Sequence, residues 1–340
     1  MGGDRGYQVK IQEIRSEVTS QEYHIQELVS GNYELDSDNP FGCNYLLWCF
    51  EKNIAYRVGV PNCRNTPGAY FEAAEGRDVW EVIKTQTAWL SDDRRSRFTK
   101  SKMKPGTYYK RMARPYSAHP KDLSGVFPLS TADDIAIAVS ISQLMTLTSQ
   151  LQNICQTVHP DTTNFKAFGH NIRNFLILAC TEVEAQWSGI LRANSYDKNN
   201  MNTNQYVKLA EPMRLREFEV RFPMFPWLQP IKPFSVWGIT GKPTSELPWY
   251  TAYNAVKHNR ELEFNCATLE HAFQAAAACY IMLIAQFGVS FRGPYDHSDL
   301  NFFELAARPV WPLEDVCLMP NAYPISGNAN TDWRAVEYPF

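Results

Sequence analysis

The sequence predicts a mainly α chain: a helical second half carrying a β-hairpin insertion, preceded by a smaller α+β region. Three observations predict it. From residue 130 onward, apolar residues recur at helical spacing through two long stretches. A short stretch at 217–222 alternates apolar and polar residues and interrupts that pattern. A nearly unbroken apolar run, 275–285, follows and reads as a buried helix.

With 340 residues the chain can bury a large core, and a length prior suggests about two domains. Hydrophobic content of 44% and charged content of 20% are globular values. A net charge of −3 argues against polyanion binding by the chain as a whole. The eight cysteines include no C-x-x-C pair, so zinc and redox chemistry are not expected, and no metal or cofactor is implied. The first residues lack the apolar core of a signal peptide, and the run 275–285 is too short to cross a bilayer. The expectation is a cytoplasmic protein with free thiols and no membrane contact.

Residues 1–128 form the α+β region. The stretch 54–60 alternates like a strand, 61–68 carries Pro, Asn and Gly in loop fashion, and 78–90 spaces Val79, Val82, Ile83 and Leu90 like a short helix. Residues 94–121 concentrate cations without an acid: Arg94, Arg95, Arg97, Lys100, Lys102, Lys104, Lys110, Arg111, Arg114 and Lys121. Phe98, Tyr108, Tyr109 and Tyr116 are interleaved. Cations neutralise phosphates and aromatics stack on unpaired bases, so this segment is a candidate for RNA or single-stranded nucleic acid. The competing reading is a solvated basic loop, or one paired with Glu34, Asp36 and Asp38.

Ser130 with Asp133, and Thr131 with Asp134, match capping boxes and start a helix running to about 158, striped by Ile137, Ile141, Leu144 and Leu151. A second helix is expected over 165–193, with Ile172, Leu176, Ala179, Val183 and Ile190 on its apolar face. The insertion 195–245 follows, in which 217–222 pairs with 233–237 around the tip PMFPWLQPIKP. A third helix is expected over 248–261, and a fourth over 267–287, stopped by Gly288. The helical domain thus spans 129–290. The tail, 291–340, holds Pro and Trp residues and reads as an extended strap.

Within the third helix, WYTAYNAVKHNRELEF gathers Asn254, Lys257, His258 and Arg260 into two turns. Such a group can hold a phosphate and move a proton: His titrates near neutrality and the cations meet anionic charge. Structural readings compete at each position. His258 and Asn254 can be hydrogen-bonded packing residues, and Lys257 and Arg260 a solvated helix face. His170, Arg173 and Asn174 at the second helix's start border the group or serve as capping and surface residues. Glu182 and Glu184 sit two apart on a helix and do not face each other.

The stretches RNFLILACTEVEAQW, 173–187, and WYTAYNAVKHNRE, 249–261, resemble the HEPN superfamily, whose active ribonucleases carry R-x(4–6)-H. Here Tyr253-Asn254-Ala255-Val256-Lys257-His258 keeps the spacing, the Asn and the His, while Tyr253 stands in place of the arginine. The resemblance implies a four-helix bundle over about 130–290, a homodimer, and metal-independent cleavage of RNA in a defence or toxin–antitoxin setting. His258 would be the acid/base, Asn254 the orienting residue, and Lys257 or Arg260 the phosphate-facing cation. On a continuous helix His258 points about 140° away from Tyr253, so a composite site across the dimer is expected. A module that binds RNA or a protein partner without turnover, and a structural interaction protein, are the alternatives.

Overall fold

The protein is described from a computed structural model, over residues 21–28, 45–60, 62–86, 96–115, 131–289, 301–318 and 333–340. The chain divides into two compact units. The first comprises 1–107, 115–122 and 311–334, and the second 108–114, 123–310 and 335–340. Of the described tail residues, 311–318 and 333–334 belong to the first unit, and 301–310 and 335–340 to the second.

The expectation of a mainly α, HEPN-like four-helix bundle is corrected by the sheet content. About 47% of the residues are helical and 15% lie in strands, and the first unit is built on a five-stranded antiparallel sheet. The fold class is α+β. Strands β1 (Glu22–Leu28), β2 (Tyr45–Glu51), β3 (Ile54–Arg57), β4 (Tyr70–Glu72) and β5 (Ser96–Lys100) are ordered β4-β3-β2-β1-β5. Directly opposed residues share a face, and the pairs Phe50↔Ala55 and Ala55↔Phe71 put large apolar groups on one side. Helix α1 (Val79–Gln86) covers that side with Val79 and Ile83, and Trp80 stacks on Phe50 at 4.5 Å. Gln26, fully buried on the same face, accepts from the Trp48 indole at 2.8 Å, which satisfies the buried N–H.

Beyond the sheet, β6 (Thr107–Tyr109) pairs with β9 (Arg334–Val336). In the second unit, α2 (Thr131–Thr157) and α3 (His170–Ala193) form near the expected stretches. The capping residue Ser130 and the side chains of Thr131 and Asp133 lie outside the described residues. α3 starts later than expected because 165–167 are otherwise engaged. The carbonyls of Phe165 and Ala167 accept from Glu270 N at 3.1 Å and Leu269 N at 2.9 Å, satisfying the open first turn of another helix. That helix is the last and most buried of the series.

The short α4 (Thr203–Tyr206) follows α3, closed by an Asn202–Gln205 capping box. The hairpin within the insertion is not formed. β7 (Glu219–Arg221) pairs with β8 (Glu304–Ala307), and only Ile231 bridges back to Val220. The expected partner, 233–237, turns instead: Pro233 has no N–H to give a ladder, and Trp237 N donates to Phe234 O at 3.0 Å. Phe234 and Trp237 are both fully buried.

Helix α5 (Pro248–His258) is shorter than expected, α6 (Arg260–Glu263) is a separate turn, and α7 (Leu269–Phe287) is buried along almost its whole length. α7 packs on α2, α3 and α5. Gly288, at φ 75°, ends it in a conformation that costs other residues a Cβ clash. Among the described residues, no helix is long and apolar enough to cross a membrane.

Candidate functional site

α5 is held at both ends. Before it, the buried Glu246 accepts from Gly238 N at 2.6 Å and from the Thr240 hydroxyl at 2.7 Å, fixing the loop that leads into Pro248 at the first helical turn. Burial pushes the Glu246 carboxyl up, but these hydrogen bonds together bring it below its ordinary value. At the far end Asn259 leaves the helix, at φ −137° and ψ 64°. Arg173 of α3 donates from Nη2 to the Val256 carbonyl at 3.3 Å, capping the last turn. Lys257 and His258 close the same turn, where positive charge complements the helix dipole.

The motif residues do not converge. Tyr253 is 1% exposed. Its hydroxyl accepts from Lys257 Nζ at 2.8 Å and donates to Glu184 Oε2 at 3.4 Å, while the Tyr250 hydroxyl donates to Glu184 Oε1. Lys257 Nζ also lies 4.9 Å from the Tyr253 ring centroid. The Tyr253 hydrogen bond raises the Lys257 pKa above its ordinary value, with desolvation opposing it. Burial, reinforced by Glu184, raises that of Tyr250. The position that the HEPN pattern gives to a phosphate-facing arginine is thus filled by a core phenol. Asn254 is half-buried, and Lys257, His258 and Arg260 are exposed. Arg260 does not continue the helix of Tyr253, because the break at Asn259 intervenes, so Arg260 stands on a separate turn and not on the expected third helix, 248–261.

The corner at Asn259 gathers other residues. His170, in the first turn of α3, lies 4.9 Å from Phe264, and Phe168 lies 6.0 Å from it edge-on. Phe168 is 53% exposed and Leu262 77% exposed. The corner therefore carries Lys257, His258 and Arg260 at the junction of α5 and α6, with Leu262 on α6 and the Phe168 ring on Phe264 just after it as accessible apolar surface. No described acid makes an ion pair with these three side chains. Sequence reasoning placed His170 and Arg173 near the group but missed Phe168, Phe264 and the Glu184 contacts. The i,i+4 spacing of Tyr253 and Lys257 signals their own hydrogen bond, whereas no local spacing signals the Glu184 contacts, which come from another helix.

The basic segment lies differently from the nucleic-acid expectation. Lys100 pairs with Glu22, and Lys102 with Glu314 at 2.6 Å and Asp315 at 3.2 Å. Lys110 pairs with Glu337 at 3.2 Å, and Arg111 Nε donates to Gln286 at 2.9 Å. Arg114 is buried and donates to the Pro212 carbonyl at 3.3 Å. Arg97 stands opposite Glu27 in the β1–β5 register, and Lys104 is exposed. Arg94, Arg95, Tyr116, Lys121 and the acids at 34–38 lie outside the described residues.

Cys180 and Cys279 beside α5 offer no nucleophile, since burial holds both thiols well above their ordinary pKa. Among the described residues the cysteines are free, and no group of three metal-ligating side chains gathers.

His271, near the corner, carries a pH signature. Its Nδ1 donates to the Cys266 carbonyl at 2.7 Å, and burial lowers its pKa against that bond and Glu270. The unfolded chain, titrating near ~6.5, binds the proton first. The contribution is therefore present above about pH 6.5 and lost as pH falls through the folded value. His24, lowered by burial against Glu22, acts in the same direction. Thermal midpoints should fall from pH 7 to pH 5, and His271→Gln should flatten that fall. An identical pH profile for wild type and variant contradicts the assignment. No known protein family matches the chain, and neither does any curated protein or solved structure.

Proposed function

We propose that the second unit binds RNA at the α5–α6 corner, as a module without turnover. The observation that carries this reading is the corner's composition: exposed Lys257, His258 and Arg260 where α5 gives way to α6, and the exposed ring of Phe168 set against Phe264, the residue that follows α6. Cations that track a phosphate backbone next to rings on which bases stack are the two parts of single-strand recognition. Unpaired bases, which can splay out, suit this surface better than a duplex. Loss of turnover follows from Tyr253, whose buried hydroxyl is committed to Lys257 and Glu184 and meets no developing phosphorane charge.

One observation favours a second reading, metal-independent RNA cleavage. The Lys257 ammonium rests on the Tyr253 hydroxyl, so a cation does stand one residue before His258. In that reading His258 is the acid/base, Asn254 orients it, and a homodimer completes the site. Fluorescence anisotropy with a single-stranded RNA, comparing wild type with the combined Lys257→Ser, His258→Ala and Arg260→Ser variant, tests the binding reading. Weaker binding by a folded variant is expected, and equal binding rejects the corner. RNA degradation by wild type in chelator, lost in His258→Ala, would select the second reading.

A further inference from the structure

One cavity in the second unit has a lining that the corner leaves unused. At the end where α2 runs out and α3 begins, a cleft of about 380 Å³ lies between them. Its volume is within the range of small-ligand sites, roughly 300–1,000 Å³. Gln150 and Asn153 on α2, and Asn171 and Asn174 on α3, edge it. Each pair is spaced i,i+3, so both members of a pair lie on one helix face. Phe175, 1% exposed, and Leu178, 43% exposed, supply apolar surface. Among the described residues, the carboxamides of Gln150, Asn153 and Asn171 make no hydrogen bond, and Asn174 only accepts, from Arg173 Nη1 at 3.3 Å.

We propose that this cleft takes an unpaired base of the RNA bound at the corner, adenine best. The inference rests on the RNA-binding reading and names what that site selects. The lining carries no charge, so it offers nothing to a phosphate. A carboxamide presents a donor and an acceptor side by side, which matches the N6–H donor and N7 acceptor of adenine. Adenine offers such a pair on both its Watson–Crick edge (N6–H with N1) and its Hoogsteen edge (N6–H with N7), so carboxamides from α2 and α3 can engage it together, whereas uracil has a single N3–H to give and can pair with one carboxamide at a time. Arg173 joins the two places: it donates to Asn174 in the cleft and to Val256 at the end of α5. A strand whose phosphates meet Lys257 and Arg260 can therefore turn a neighbouring base onto the carboxamides.

The test uses the full chain with three probes: oligo(A), oligo(U) and free adenosine. Wild type should bind oligo(A) roughly tenfold tighter than oligo(U), the discrimination expected of a carboxamide–adenine contact. The double variant Asn153→Ala, Asn171→Ala removes exposed side chains and should bind both oligomers equally, with the salt dependence of wild type. Equal binding of both oligomers by wild type, or a preference that survives in the variant, overturns the base cleft and leaves the corner standing. If neither oligomer binds but adenosine binds and the variant loses it, the RNA reading fails and the cleft stands. Absence of all three interactions overturns both.

Discussion

Replacing Trp187 by alanine is expected to destabilise the second unit by about 3–5 kcal/mol, the range for deleting a large buried aromatic. Trp187 is fully buried on α3 and stacks on Trp237 at 4.8 Å, with Tyr206 at 5.3 Å, Tyr250 at 5.7 Å and Trp249 at 6.2 Å. Its neighbours come from α4, the turn at 234–237 and α5, so one indole ties the insertion to the helices. Its Nε1 has no hydrogen-bond partner, so the loss is one of packing alone. A thermal midpoint lower by on the order of 10 °C, read by near-ultraviolet circular dichroism, is the expected result. Trp187→Phe should recover part of it. A shift of under ~2 °C for the alanine variant would show that the site collapses without cost, contrary to a close-packed cluster.

The second large effect is expected at Glu184. Its two carboxyl oxygens receive the hydroxyls of Tyr250 and Tyr253, which are 4% and 1% exposed. Glu184→Ala leaves two buried donors without that acceptor, at about 1–3 kcal/mol each. Tyr253 keeps Lys257 as a donor to it, but Lys257 cannot accept its proton. Glu184→Gln retains one carbonyl oxygen and should recover roughly half of the loss. Denaturant midpoints for the three proteins measure this order. An alanine variant as stable as wild type would remove the argument that Tyr253 is committed to the core.

The long helices were legible because their apolar stripes are local. Ile137, Ile141 and Leu144 of α2, and Ile172, Leu176 and Val183 of α3, are all buried as the periodicity demands. Gly288 marked the end of α7 through a conformation that few other residues adopt. The five-stranded sheet was not legible. β2, YLLWCFE, is apolar on both faces and has no clean alternation, and β1 meets β5 some seventy residues away. The alternation around β7 is local and marks a strand, but its partner starts at Glu304, some eighty residues on, which no local pattern encodes.

At the site, the grouping of Asn254, Lys257, His258 and Arg260 was visible, and the shared face of Tyr253 with Trp249 and Val256 pointed to its burial. The break at Asn259 was not visible. It is supported by a tertiary contact, Arg173 on the Val256 carbonyl, that no local spacing encodes. Glu184 was likewise hidden, since its partners lie on a different helix.

The salt dependence of RNA affinity tests the central claim most directly. Wild type and the combined Lys257→Ser, His258→Ala and Arg260→Ser variant are titrated with one single-stranded RNA from low to moderate salt. Each cation that no longer neutralises a phosphate of the single strand should reduce the slope of log K against log salt by ~0.7. Removal of the Lys257 and Arg260 charges therefore predicts a slope shallower by about 1.4, with the fold intact by circular dichroism. Identical slopes for the two proteins, or no RNA binding by wild type at low salt, would contradict the assignment of this corner as the RNA-binding surface.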